Sequence, residues 1–338
     1  MSFDAHSSVA DAQAHHTLSS TGIELSRVGF GCASLMRLPS ARARRDLIAA
    51  AIDAGITHFD VARMYGLGAA EAELGRALRR RSEPVTIATK FGIDASGAMQ
   101  RLGRLQAPAR ALLGKSSKLR ARVRARGDSF ATPRRYDVDK ARTSLDRSLL
   151  ELGVEHVDIL FLHDPRPQDV IEKAALVEFL ETAKDAGKIR AWGSSVDTPA
   201  GIEQMTNLPG GLLQVRIDPL TQPPAEHASL VFGLMARHEL IAGWLRGNPD
   251  AHRAWSAALG ADPLRGELLA RLLLAQAMTL PSAPVALYAT TRVSRLQIAA
   301  QALASPPEPQ VVAAFAKLLA SHGPEIIGSA PADEGSTR

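Results

Sequence analysis

The chain is short of cysteine and of aromatic rings. Cys32 is its one cysteine, so no intramolecular disulfide can form, a disulfide-stapled secreted fold is excluded, and a reducing compartment is expected. Cys32 lies beside an apolar run and reads as a small core hydrophobe, not a nucleophile. Aromatic residues make up 4% of the 338 positions, which leaves few rings to line an apolar pocket or to interleave with bases. No run approaches the roughly 18 apolar residues that a membrane-spanning helix needs. The opening MSFDAHSSVADAQAHH has neither the basic start nor the apolar stretch of a signal peptide. Together these absences give the expectation of a soluble, cytoplasmic protein. His6, His15 and His16 have no cysteine near them, and no metal is expected.

What is present is ample core material, 46% hydrophobic residues, and a net charge of +5. The stretch that organises the rest is HFDVARMYGLGAAEAELGRALRRRSEPVTIATK, His58 to Lys90. A β-branched apolar run ends in the carboxylate of Asp60, and a short loop carries the phenol of Tyr65. An amphipathic helix follows, and a second apolar run ends in the ammonium of Lys90. Strand, loop, helix and strand make one βαβ unit. Both strands then end on the same side, where α/β sheets and barrels carry their chemistry. A buried ammonium beside the phenol is expected to favour phenolate and lower the Tyr65 pKa, with Asp60 holding the ammonium in place. The run VDILFLH ends at His163 on the same rim, where an imidazole can donate a hydrogen bond to a substrate oxygen.

The same alternation runs through most of the chain. Residues 1–16 read as a mobile arm and Thr17 to Ser26 as a β-hairpin. Barrel strands are expected at Val28–Ala33, His58–Asp60, the run ending at Lys90, Val157–His163, Ile189–Ser195, LLQVRID, LIAGW and Pro284–Ala289. Helices between them include Ser40–Ala54, Asp137–Leu152, Gln168–Ala186, a short one after Thr198-Pro199, one near Ala225–Arg237, Pro263–Met278 and Ser294–Ala304. Eight βα repeats of nearly constant length indicate an α/β fold of the (β/α)8 TIM barrel type over residues 17–321. A last helix is expected at Val311–Ser321, and residues 322–338 read as a flexible tail.

One connection breaks the rhythm, a long insertion at 92–136 after the third barrel strand. It carries Arg101, Arg104, Arg110, Lys115, Lys118, Arg120, Arg122, Arg124 and Arg126, more positive charge than the whole chain's net +5. Loops of this length are functional or disordered. A solvated lid over the rim is the first reading, and steering of an anionic substrate or cofactor the second. Nucleic acid is the third, without aromatic interleaving or a recognised module to support it, and is not expected as a partner.

The motifs FDVARMYG, TK and SLLELGVEHVDILFLHDP, in this order, resemble the aldo-keto reductase family, and the resemblance runs from about Leu25 to about Leu303. It implies a catalytic tetrad of Asp60, Tyr65, Lys90 and His163, a hairpin plugging the bottom of the barrel, and a nicotinamide cofactor. It implies cofactor contacts from Asp60, from Ser195 and Gln214 toward the carboxamide, and from Trp244 as a stacking ring in AGWLRGN. In ATTRVSRLQIAAQAL, Thr290, Thr291, Arg292 and Arg295 match a dinucleotide phosphate site, which favours NADPH, with NADH as the alternative. Three positions depart from the family pattern: Val196 stands where an Asn is usual, Ala289 where Gly or Lys is usual, and Ala299 where the helix carries an Asn. The implied activity is NAD(P)H-dependent reduction of an aldehyde or ketone to an alcohol, or the reverse oxidation, with Tyr65 as proton donor. The departures keep open a cofactor-binding regulatory barrel with little or no turnover. Arg37 and Arg63, near the rim, point toward a polar or acidic carbonyl compound, and no membrane partner is expected.

Overall fold

The computed structural model of the chain describes residues 15–94, 134–170, 172–197, 211–221, 227–282 and 284–330. Most of the arm, the interior of the basic insertion, the expected helix after Thr198-Pro199 and the last eight positions lie outside the described residues.

A hairpin opens the fold, β1 (His15–Leu18) against β2 (Ile23–Ser26), with Leu18 opposite Ile23. His15 and His16 therefore belong to a strand and not to the arm. Eight parallel strands follow and close a barrel. In chain order they are β3 (Val28–Gly31), β4 (His58–Asp60), β5 (Thr86–Phe91), β6 (Val157–His163), β7 (Ile189–Val196), β8 (Leu212–Arg216), β9 (Leu230–Phe232) and β10 (Val285–Tyr288). Strand β10 pairs back onto β3, which removes both sheet edges.

Outer helices are α1 (Ala41–Asp53), α2 (Ala70–Leu78), α3 (Val138–Leu152), α4 (Lys173–Asp185), α5 (His238–Gly247), α6 (Pro249–Leu259), α7 (Leu268–Met278), α8 (Val293–Ala304) and α9 (Pro309–Gly328). Local chemistry sets their ends: Ser40 accepts from the Ala43 amide at the start of α1, and Asp137 accepts from the Lys140 amide at the start of α3.

Strand side chains alternate between two environments. Phe59, Phe91, Leu160 and Leu162 point outward into the main core under the helices. Ala88, Ile159, Phe161, Leu212, Leu230 and Leu287 fill the barrel, and Leu18, Ile23 and Leu25 of the hairpin join the same cluster. The hairpin therefore closes the amino end of the barrel, and polar chemistry is left to the carboxyl end.

Four expectations need correction. In place of a helix near Ala225–Arg237 stand β9 (Leu230–Phe232) and a short 3-10 turn at Leu234–Arg237. LIAGW is not a strand but part of α5; the seventh barrel strand is the three-residue LVF of β9, ten positions earlier. LIAGW is apolar and glycine-bearing like a buried strand, while three residues are too few to show a period. Helix α6, led by Pro249 at its first turn, was not anticipated. Helix α9 continues past Gly323-Pro324 to Gly328 because a further apolar turn puts Ile326 into a second core with Trp244, Trp255 and Phe315. The expected tail is thus helical over its first turns.

Candidate active site

Asp60 is the last residue of β4 and Lys90 the penultimate residue of β5, and both side chains face the barrel axis although they are 3% and 2% exposed. An isolated charge is costly to bury, so the two are paired. Lys90 Nζ donates to Asp60 Oδ1 at 2.5 Å and to the Val61 carbonyl at 3.3 Å. The other carboxylate oxygen, Oδ2, accepts from Gln214 Nε2 at 2.7 Å, and Gln214 Oε1 accepts from Ser195 Oγ at 2.5 Å. Register explains the relay: His163 of β6 lies beside Ser195 of β7, and Ser195 beside Gln214 of β8.

Tyr65 comes from the loop after β4. Gly66, Leu67 and Gly68 follow it with φ of 58°, 58° and 86°, a left-handed reversal that turns the chain back over the rim. A side chain at Gly66 would place Cβ 2.1 Å from Met36 Cγ, so glycine is required there for space as well as for backbone angle. The reversal leaves the Tyr65 ring centroid 5.2 Å from Lys90 Nζ and 5.9 Å from the His163 ring, with the two rings edge-on at 88°. The four residues of the expected tetrad therefore converge.

Their protonation follows from burial and charge. Burial pushes the Tyr65 phenol above its ordinary pKa; Lys90 pulls it down, Asp60 pushes it up, and the net is upward. The expectation of a lowered phenol is thus overturned: burial, with Asp60 beside it, outweighs the pull of Lys90. Burial lowers the Lys90 ammonium, but Asp60 and Tyr65 more than compensate, so its pKa rises. His163 is pushed down to about 3 by burial and by Lys90 and Arg134. At neutral pH the site presents a protonated phenol, an ammonium and a neutral imidazole.

These side chains line a cavity of about 440 Å³ that runs from Asp60, Tyr65 and His163 to Ala289 at the end of β10. Ser195 and Gln214 are on its wall, as is Phe232, the last residue of β9. Sequence reading gave Phe232 no role and expected the ring at Trp244. Trp244 instead packs in the second core, with ring centroids 6.1 Å from Trp255 and 5.3 Å from His322. The aromatic that closes the very short β9 was hidden by the misplaced strand. Asp197, just past β7, also lines the cavity and had no assigned role.

Thr290, Thr291, Arg292 and Arg295 gather at the start of α8. Thr290 is buried and its hydroxyl accepts from the Arg292 amide at 3.1 Å, leaving Thr291 the more accessible hydroxyl. Arg292 and Arg295 are exposed, the latter 3.9 Å from Glu239. No side-chain cap occupies the α8 amino end, which leaves first-turn N–H groups available to an anion. Arg63 does not face the cavity. It is 2% exposed and pairs with Glu71 and Glu151 beneath the rim. Arg37 is an exposed residue of the turn after β3. Cys32 is fully buried and burial pushes its thiol far up, as expected of a core residue.

The chain is similar to several known proteins. The sequence model described as Aldo/keto reductase family matches residues 27–231. Over 156 residues the chain is 35% identical to a pyridoxal 4-dehydrogenase of Microbacterium luteolum, covering 45% of this chain and 44% of that protein. Over 312 residues it is 26% identical to the oxidoreductase YdhF of Escherichia coli, covering 85% and 91%. Among solved structures, the holo form of an aldo-keto reductase from Bacillus halodurans superposes with a TM-score of 0.67 at 19% identity, covering 90% of this chain and 96% of that one. A glycerol dehydrogenase from Gluconobacter oxydans superposes with the same score of 0.67 at 19% identity, covering 97% and 100%.

Proposed function

Because the chain belongs to the aldo/keto reductase family, we propose that it reduces an aldehyde or ketone to the alcohol with NAD(P)H, or runs the reverse oxidation, with Tyr65 as the proton donor. One observation carries this reading: an unbroken relay, Ser195 to Gln214 to Asp60 to Lys90, ends beneath the ring of a half-buried phenol that faces His163.

The residues present suit a nicotinamide dinucleotide. Buried Ser195 and Gln214 can exchange their mutual bond for one to a carboxamide, and Phe232 offers a ring at the end of the seventh barrel strand. Thr291, Arg292, Arg295 and the uncapped start of α8 suit a phosphate, and two arginines favour NADPH over NADH. Val196 is buried under the helices and offers no amide to the ring. When bound, the cofactor supplies the hydride.

The chain's own groups handle the proton and the charge. Tyr65 and His163 flank the place where a carbonyl oxygen would sit, and the neutral imidazole donates a hydrogen bond that polarises it. As negative charge grows on that oxygen, Tyr65 Oη releases its proton to it. Lys90 stabilises the phenolate left behind, and Asp60, held by Gln214, keeps the ammonium in place. A phenol whose pKa is raised keeps its proton at neutral pH, which fits the reducing direction.

Asp197 makes the cavity wall acidic at its outer end. It supports substrates rich in hydrogen-bond donors over carboxylate-bearing ones, the reverse of what Arg37 and Arg63 suggested. Titrating NADPH and NADH against nicotinamide fluorescence, then following cofactor absorbance with a panel of hydroxylated, apolar and acidic carbonyl compounds, tests the proposal. Saturable cofactor binding with turnover is the expected result; binding without turnover on any of the panel would favour the regulatory barrel.

A further inference from the structure

The two ends of the basic insertion are fastened together beside the site. The Arg135 amide donates to the Gly92 carbonyl at 3.0 Å, and Lys140 pairs with Asp94. The Tyr136 ring lies on Gly92, whose φ is 108° and where a Cβ would fall 2.0 Å from Tyr136 Cε1. That ring meets Phe91, the residue after Lys90, at 6.1 Å and 67°. On its other side the Tyr136 hydroxyl donates to the backbone carbonyl of His163 at 2.5 Å. One side chain, 2% exposed, therefore joins the end of the strand bearing Lys90 to the residue bearing the imidazole.

The turn at His163 depends on such ties. Asp164 has a φ of 49°, in the left-handed region that non-glycine residues avoid. Its amide donates to the Ser195 carbonyl at 2.6 Å, and its carboxylate pairs with Arg134 and accepts from the Asp197 amide at 3.2 Å. The imidazole has little hold of its own: among the described residues its buried Nδ1 has no partner. Ring placement is thus inherited from the backbone, and the backbone is held by Tyr136 and Arg134, both at the return end of the insertion.

We propose that Tyr136 is a positioning residue: by holding the His163 carbonyl it sets the placement of the imidazole against the Tyr65 phenol and links it to the root of the insertion. This rests on the reductase reading of the site. Burial pushes the Tyr136 phenol well above its ordinary pKa, so it remains a donor throughout the working pH range. Displacement of a reacting group by about 1 Å is enough to lower a rate on the order of a hundredfold, and loss of one of several ties should do part of this.

The test is a double-mutant cycle on the full chain. Tyr136→Phe keeps the ring on Phe91 and Gly92 and removes only the hydroxyl. Its kcat for a reduced carbonyl should fall about tenfold with KM for NADPH and the melting temperature nearly unchanged. In a His163→Gln background the same change should have no further effect on kcat, because the group it positions is gone. An equal loss in both backgrounds, or none in the wild type, overturns the inference. Arg134→Gln, which releases the same turn from a half-exposed position, should lower kcat about threefold, and provides the test if Tyr136→Phe does not fold. If the wild type turns over no carbonyl compound, the reductase reading fails and the positioning claim is judged separately. The His163 ring resonances should then shift and broaden in Tyr136→Phe, and unchanged resonances overturn it.

Discussion

Tyr65 and His163 meet edge to face, their ring centroids 5.9 Å apart at 88°, although one comes from a loop and the other closes a strand almost a hundred residues later. The contact brings a proton donor and a neutral hydrogen-bond donor to one point. Tyr65→Phe keeps the ring contact and removes the proton. We expect turnover to drop by about 10²- to 10⁴-fold, the usual worth of general acid catalysis, with NADPH affinity by fluorescence titration little changed. Retained turnover would remove Tyr65 from the mechanism.

The Lys90–Asp60 pair should be as important for stability as for rate. Lys90→Met leaves the Asp60 carboxylate buried with Gln214 as its remaining side-chain partner, and breaking a buried pair on one side costs about 3–5 kcal/mol. Denaturant unfolding should show that loss. In Lys90→Met combined with Asp60→Leu, most of the stability should return while turnover stays absent, which separates the two roles.

Phe232 and Trp244 make opposite predictions for the cofactor. Phe232 lines the cavity, and Trp244 is 7% exposed in the second core. Phe232→Leu should weaken NADPH binding by about three- to tenfold, the scale of a lost aromatic stack of about 0.5–1.5 kcal/mol. Trp244→Phe should leave the dissociation constant unchanged and lower the melting temperature. A weaker cofactor complex in Trp244→Phe alone would reverse the assignment.

The Asp197 carboxylate should discriminate by charge. Burial and the neighbouring Asp164 push its pKa up, against Arg216, Lys90 and Arg134. Asp197→Asn should raise kcat/KM for carboxylate-bearing carbonyl compounds relative to neutral ones by about tenfold, which corresponds to about 1.4 kcal/mol of relieved repulsion. An unchanged ratio would place the carboxylate outside the substrate's reach.

Acid should destabilise the fold through His58. This residue is fully buried inside the barrel, Nδ1 bonded to Thr86 Oγ1 at 3.0 Å, and burial pushes it down to about 4. The unfolded chain titrates near the ordinary value of about 6.5. Between those values the unfolded state holds more protons, so stability falls as pH drops from 6.5 to 4 and this contribution changes no further below 4. The loss should be roughly 3 kcal/mol. His163, pushed down to about 3, acts in the same direction across this window and on to about pH 3. His58→Asn should reduce the slope of the unfolding free energy across this window, leaving the part due to His163; an undiminished slope would assign it to other groups.

Much of this was legible before any coordinates. A carboxylate, a phenol, an ammonium and an imidazole sit at or just past the ends of apolar runs, and strand period and helix starts such as Ser40 put their elements in order. Phe232 escaped because β9 is three residues long and LIAGW imitates a buried strand. The length of α9 was hidden by Gly323-Pro324, which looks like a stop until Ile326 is seen to have a core to enter. Arg63 looked like a rim residue because sequence position does not reveal that Glu71 and Glu151 wait beneath it.

By itself the sequence determined the barrel class, most of its elements in their order and the set of reactive groups, because periodicity, caps and the chemistry of side chains are local properties. The protonation of Tyr65, the carboxylate of Asp197 in the cavity wall and the tie from Tyr136 to His163 were decided by the tertiary structure. Each depends on burial, on charge or on a contact between residues far apart in the chain, and distances of that kind exist only once the barrel has closed.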